Sequence, residues 1–264
     1  MVLRFELMNI FVSDGRGAGP LKAAVNVLLL SVLIVLVTWF SLSRIGVMFD
    51  FSFLPAFSSR LATGFLMTII ISAGSLVLSL ILGIVCAILQ SSKIIILRYL
   101  AKLYVTFIRG TPLIMQIYLF YYIVGTAFGI ENRILCGILI LSVFEGAYIA
   151  EIIRGSLLSM DETQLEAAKA VGFTKRQITT LVVLPQLTAR TLPALTGQFA
   201  SIIKDSSLLS IIAVIELTQT IREITAGNFM FFESYIFLGA LYLVLTLPLS
   251  LISKRLERRF LFAA

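Results

Sequence analysis

Four charged side chains, Glu145, Glu151, Lys204 and Asp205, stand inside long apolar runs of this 264-residue sequence. Holding such a charge in hydrocarbon costs at least about 2.5 kcal/mol on insertion scales, so intramembrane charges are candidates for a solute path. Glu145 is flanked by Phe144 and Gly146-Ala147. The two small residues let another helix or a solute approach, and Glu145 is a candidate to receive a cationic group. Glu151 precedes Arg154 by three residues, a spacing at which helix neighbours meet, so an internal ion pair competes with a functional role. Lys204 and Asp205 are consecutive and diverge by about 100° on a helix, so at least one needs a partner on another subunit or in a cavity.

Other chemistry is excluded. The sequence has no histidine, which removes the commonest general base and metal ligand. Cys86 and Cys136 lie in apolar runs and read as small buried hydrophobes, not as a disulfide or metal site. The dipeptide Gly-Lys never occurs, so the chain has no phosphate-binding loop with which to hold ATP. No catalytic residue and no metal ligand is expected.

The elements that must position these charges are membrane spans. Hydrophobic residues make up 59% of the chain and charged ones 13%, and mean hydropathy is +1.04. A soluble domain could not cover its surface with so few charges. Runs of about 20 apolar residues are long enough to cross the hydrocarbon core. They fall at 23–42, 61–89, 112–128, 134–153, 192–214 (broken by Lys204-Asp205) and 231–253. The first starts too late and is too long for a cleavable signal peptide. Basic residues set the orientation. One side collects Arg4, Arg16, Lys22, Lys93, Arg98, Lys102, Arg154, Lys169, Lys175, Arg176, Arg190, Lys254, Arg255, Arg258 and Arg259, against Arg44, Arg60, Arg133 and Arg222 on the other. Both termini and the loop after the fourth span are therefore expected in the cytosol. Membrane insertion accounts for the net charge of +7, and no nucleic-acid partner is expected.

Residues 94–108 repeat Arg98, Lys102, Thr106 and Arg109 at helical spacing between apolar faces. Two readings fit: a lateral interfacial elbow, or the cytosolic end of a bent span. In Arg109-Gly110-Thr111-Pro112, Thr111 is expected to cap the third span and Pro112 to fill its first turn.

Between the fourth and fifth spans the polarity changes. Asp161 is expected to cap a short helix, with Gln164 reaching back as in a capping box. Leu165, Ala167, Ala168 and Val171 give that helix a small apolar surface, and Gly172 ends it. A second helix, capped by Thr174 with Gln177 three residues on, is expected to stop at Pro185. Such helices dock on another protein or fold back on the bundle's own cytosolic face; the residues alone leave both open.

The spacing here resembles a known family. Glu166-Ala167-Ala168, three residues, Gly172, nine residues, then Val182, Leu184 and Pro185 is similar to the EAA loop of ATP-binding-cassette importer permeases. The stretches 107–113 with Gln116, 147–155, Leu184-Pro185-Gln186, 204–208 and Glu216-Leu217 resemble the polar amino-acid permeases, the histidine/glutamate/glutamine/arginine/opine group. Ser206 stands where threonine is usual, and Met160 to Thr163 replace a Gly-containing lead-in.

The resemblance implies an all-α polytopic bundle of about six spans with the type I, methionine-importer-like permease fold. Residues 1–60 would be an N-terminal cytosolic segment, extra span and external connector. Residues 61–260 would be the permease core, with the coupling loop at 155–190. ATPase coupling would fall to Glu166, Ala167, Ala168, Gly172, Leu184 and Pro185. The substrate path would draw on Glu145, Tyr148, Glu151, Thr111, Gln116, Lys204, Asp205 and Ser206, with Glu145 toward an α-ammonium or cationic side chain. The chain would carry no cofactor, ATP and Mg²⁺ residing on the partner ATPase. Expected partners are ABC ATPase subunits, a second permease subunit (identical or similar), a periplasmic or lipid-anchored solute-binding protein, and an amino acid. Its place would be the bacterial inner membrane. Competing readings are an ion-coupled secondary carrier and a non-transporting membrane scaffold.

Overall fold

The computed structural model describes residues 20–45 and 49–261, and the regular elements among them are all helical. The N-terminal cytosolic segment, with Arg4 and Arg16, lies outside the described residues. The chain divides into two compact units, Met1–Asp50 and Phe51–Ala264. Within the first, helix α1 (Pro20–Ile45) is apolar on every face and long enough to cross a bilayer.

The second unit is built around α2 (Ser58–Gln90) and α5 (Arg133–Leu158). The buried face of α2 carries Gly64, Thr68, Ser72, Ser75, Ser79 and Gly83, a stripe of small residues at three- and four-residue spacing. Such a stripe lets two backbones approach closely. A Cβ at Gly83 would lie 2.5 Å from Ile149 Cγ2 and 3.1 Å from the Gly146 carbonyl, so α5 sits directly on it. On the other side Leu66, Ile70, Val77, Ile81 and Ile88 stay exposed, as lipid-facing residues should.

Helix α3 (Ile95–Gly110) leads into α4 (Leu113–Leu119), whose end widens into a π-helical stretch at Phe120–Gly125, and the two directions differ by 113°. This bend corrects two expectations. Thr111 closes α3: its backbone is extended (φ −126°, ψ 149°) and its hydroxyl donates to the Phe107 carbonyl at 2.8 Å. Pro112, also extended, takes the N-cap position instead of the first turn. The cause is steric, since the residue before a proline is pushed out of the helical region. The third span is also shorter than its apolar run, about 20 Å from Leu113 to Gly125, and passes as a span only together with α3.

A short helix α6 (Glu162–Ala170) is followed by α7 (Lys175–Gln177), a π-helical stretch at Ile178–Val183, and α8 (Leu184–Asp205). From Lys175 to Asp205 the backbone is helical without a break. Pro185 therefore does not stop a helix; it sits where the π-helical turn gives way to the α-helical part of the continuous backbone. The π stretch just before it takes up the mismatch. Residues Ser206–Ile212 tighten into a 3₁₀ helix that ends at Ala213, in the left-handed region at φ 54°. The fifth span thus begins at Leu184, ahead of the expected Leu192.

Helices α9 (Leu217–Asn228) and α10 (Phe231–Leu261) complete the unit. One core joins Ile71, Ile117, Leu141, Ala147 and Leu209 across α2, α4, α5 and the 3₁₀ segment. A second joins Leu61, Leu217, Ile221, Ile224 and Leu238. Among the described residues four helices are long and apolar enough to cross a membrane alone, and the α3–α4 pair makes a fifth. Helix α8 is a further element long enough to cross, at about 33 Å, but it carries Gln186, Arg190, Gln198, Lys204 and Asp205. It packs between α5 and α10, which leave Gln186, Arg190, Gln198 and Asp205 partly buried and Lys204 exposed. The fold is an all-α transmembrane bundle.

Candidate functional site

The candidate path residues fall into three groups. In the first, α5 and α8 bring Glu145 and Asp205 together. Glu145 is fully buried, and its Oε2 accepts a hydrogen bond from the Gln198 side-chain amide. Its Oε1 has no hydrogen-bond partner among the described residues, and the half-buried Asp205 carboxyl is its neighbour. Lys204 points elsewhere and is exposed, as consecutive helix positions require. Ser206 is buried, its hydroxyl donating to the Ile203 carbonyl at 2.7 Å. The close approach allowed by Gly146 is used by a helix: a Cβ there would lie 3.0 Å from Leu82 Cβ and 3.1 Å from the Tyr104 hydroxyl.

The second group surrounds Glu151. Arg154 donates to it from Nε at 3.0 Å and from a terminal nitrogen, and Arg109 lies 3.6 Å away. The Arg109 guanidinium sits 5.4 Å from the centre of the Tyr148 ring, which leans on Phe144 at 5.1 Å. Arg109, Tyr148, Glu151 and Arg154 line an open cleft of about 580 Å³ with Gln90 and Lys102.

The third group does not join either. Gln116 is buried under the α3–α4 bend and donates its amide to the Ile108 carbonyl at 2.8 Å and to the Thr111 hydroxyl oxygen at 2.7 Å. Together Gln116 and Thr111 fasten the elbow.

In the loop, Asp161 accepts from the Thr163 N–H at 2.9 Å and so caps α6. Hydrogen bonding from Thr163 holds the Asp161 carboxyl below the ordinary carboxylate range. Gln164 does not reach back to close a capping box. It accepts instead from the Gln186 amide at 2.7 Å, which ties α6 to the start of α8. Gly172 has φ +86°, a conformation that suits glycine just past a helix end. Thr174 and Gln177 form the full capping box. Arg190 donates to Ser159 Oγ at 2.8 Å and to the Ser159 carbonyl, closing the base of the loop. Glu166 and Ala167 are exposed and Ala168 is buried, while Val171, Leu181 and Leu184 leave apolar surface uncovered.

Residues 79–262 match the family described as "Binding-protein-dependent transport system inner membrane component". The chain belongs to this family. It is the membrane-embedded permease subunit of an ATP-binding-cassette importer. The glutamine transport system permease protein GlnP of Escherichia coli is 36% identical over 214 residues, covering 80% of this chain and 97% of that one. The probable amino-acid permease protein YxeN of Bacillus subtilis is 32% identical over 212 residues, covering 79% and 95%. Among solved structures, an amino acid ABC transporter superposes with a TM-score of 0.75 at 31% identity, over 81% of this chain and 100% of that one. The MetNI methionine ABC transporter, in an inward-facing conformation, shares the type I fold with a TM-score of 0.61 at 18% identity. These four comparisons cover 79–81% of this chain.

One buried cluster of the permease was not picked out as a candidate site in the sequence, where Glu216 served only as part of a matching stretch. Glu216 is fully buried, caps α9 through the N–H groups of Gln219 (2.7 Å) and Thr218 (2.8 Å), and accepts from the Tyr242 hydroxyl at 3.0 Å. The Leu217 N–H donates to Thr68 Oγ1 at 3.1 Å, so α2, α9 and α10 meet there. A glutamate directly ahead of a polar-apolar helical pattern was the available signal.

Proposed function

We propose that this permease imports amino acids across the bacterial inner membrane, with both termini in the cytosol. The observation that carries the reading is the coupling loop. The spaced residues Glu166, Ala167, Ala168, Gly172, Leu184 and Pro185 lie on one capped, cross-braced element with exposed apolar side chains. An ATPase groove would cover that surface. ATP and Mg²⁺ reside on this partner, and the chain itself holds neither. The amino-acid substrate is supported by the relatives, one named for glutamine and another for amino acids.

Two permease subunits, identical or similar, form the path, and a solute-binding protein delivers substrate from outside. Closure of the ATPase dimer moves the loop, and α8 carries that movement to Asp205 and Ser206. Glu145 and Asp205 supply negative charge for an α-ammonium or a cationic side chain. Tyr148, Glu151 and Arg109 lie toward the cytosolic exit, with Thr111 and Gln116 holding the elbow beside it. Lys204 faces the partner permease or the cavity.

The test is uptake of labelled amino acids into proteoliposomes holding the complex. Uptake should need ATP, the ATPase and the binding protein, and Glu166→Arg should reduce it and the transport-linked ATPase rate together. Uptake by this chain alone under an ion gradient would overturn the reading.

A further inference from the structure

We propose that the cleft between α3 and α5 is a binding site for the headgroup of an anionic phospholipid, whose acyl chain lies along the outer face of α3.

The cleft is lined by three cations, Lys102, Arg109 and Arg154, against one carboxylate, Glu151. That carboxylate is already engaged by Arg154 and Arg109. Lys102 is exposed and makes no ion pair among the described residues. The lining is thus short of negative charge, and Gln90 and Thr106 add polar side chains. A phosphate group supplies what is missing.

The second half of the argument is on the same helix. Helix α3 buries Ala101, Val105 and Ile108 against the bundle. About a quarter-turn beyond the basic row, Ile95, Ile96, Tyr99, Leu100 and Leu103 line a wholly apolar groove of about 610 Å³. These five side chains are all more than half exposed. Water is an unfavourable neighbour for such a surface, whereas hydrocarbon is not. Tyr99 of the groove and Lys102 of the cleft are three residues apart, neighbours on a helix surface, so the headgroup cleft and the acyl groove adjoin. Only an amphiphile with an anionic head satisfies both at once. The basic-residue count puts this surface on the cytosolic side, where anionic headgroups commonly meet basic pockets between helices. A small anion from the cytosol would use the cleft and leave the groove bare.

The experiment is native mass spectrometry of the delipidated full chain in detergent, titrated with phosphatidylglycerol and, separately, with phosphatidylcholine. The wild type should retain phosphatidylglycerol in preference. Lys102→Glu should weaken that retention by at least about fivefold, and Leu103→Gln should weaken retention of both lipids. Lys93→Glu, a charge change on the same side outside the cleft, should leave it unaltered. Circular dichroism checks that each variant is folded, and Lys102→Gln replaces Lys102→Glu if the latter is not. Equal retention of the two lipids, or equal losses for the Lys93 and Lys102 variants, would overturn the proposal. So would full displacement of phosphatidylglycerol by inorganic phosphate, which would mean that the groove contributes nothing.

Discussion

Gln198 donates its side-chain amide to the buried carboxyl of Glu145, a contact between residues on α8 and α5 that are far apart in sequence. The other polar neighbour of that carboxyl is the Asp205 carboxyl, and Glu145 Oε1 accepts no hydrogen bond among the described residues. A buried polar atom left without a partner costs about 1–3 kcal/mol. Gln198→Leu should therefore lower the thermal stability of the purified chain by that order. Gln198→Glu should lower it further, by placing another acid beside Glu145 and Asp205. A melting curve for Gln198→Leu that overlays the wild type would refute the prediction.

The α2–α5 contact is intolerant of bulk at Gly83, whereas Gly155, outside that contact, has room for it. Gly83→Leu drives a side chain into Ile149 and the Gly146 carbonyl, and overpacking of this kind costs about 1–3 kcal/mol or more. A Cβ at Gly155, near the end of α5, meets nothing within 4 Å. Gly155→Ala should be neutral or stabilising by up to about 1 kcal/mol from helix propensity. Thermal unfolding of the two variants in one detergent makes the comparison, and equal shifts would contradict it.

The elbow depends on Gln116. Gln116→Leu keeps the bulk but leaves the Ile108 carbonyl and the Thr111 hydroxyl without their donor. Backbone amides across the bend should then exchange hydrogen roughly tenfold faster or more, the equivalent of about 1.4 kcal/mol, while those in the middle of α5 should not change. Uniform acceleration through the whole chain would point to global unfolding instead.

Asp161 gives a pH dependence whose sign is fixed. Its carboxyl is held below its ordinary value of 3.8 by hydrogen bonding from Thr163. The cap on α6 is therefore fully present above about 3.8 and fades as pH falls through the lower, folded value. Protection of the Thr163 amide, followed by NMR, should be flat from neutral pH down to about 4 and decline only below that. Asp161→Asn should flatten the decline, and a loss of protection between pH 7 and 5 would count against the assignment.

Much of the bundle was legible in the sequence because apolar runs and a membrane's thickness leave little choice. The run at 61–89 became α2 and the run at 134–153 became α5 for that reason. The pairing of Glu151 with Arg154 and the Thr174–Gln177 capping box were legible because both are local. What was not legible depended on contacts between distant residues. Gln164 had two partners in reach, its own helix start and Gln186, and only the folded chain brings Gln186 near. Pro185 reads as a stop signal because the π-helical turn that tolerates it has no strong sequence mark. The candidate path residues were read as one set, yet Gln116 and Thr111 fasten a bend while Glu145 and Asp205 meet in the bundle's interior. Family spacing groups residues by position, and it does not distinguish a residue that holds the scaffold from one that faces solute.

The unbroken helix from Lys175 to Asp205 has a mechanical consequence. At about 1.5 Å per residue it is a strut of roughly 45 Å, one end standing among the loop residues and the other at the interior carboxyls. A loop between those ends would soak up a small push. A strut does not: a tilt of about 5° about one end sweeps the other through about 4 Å, more than the length of a hydrogen bond. The Ser253 hydroxyl, which donates to the Pro193 carbonyl at 2.9 Å, fastens the strut part-way along to α10. A bar held near its middle works as a seesaw, so the two ends would travel in opposite directions.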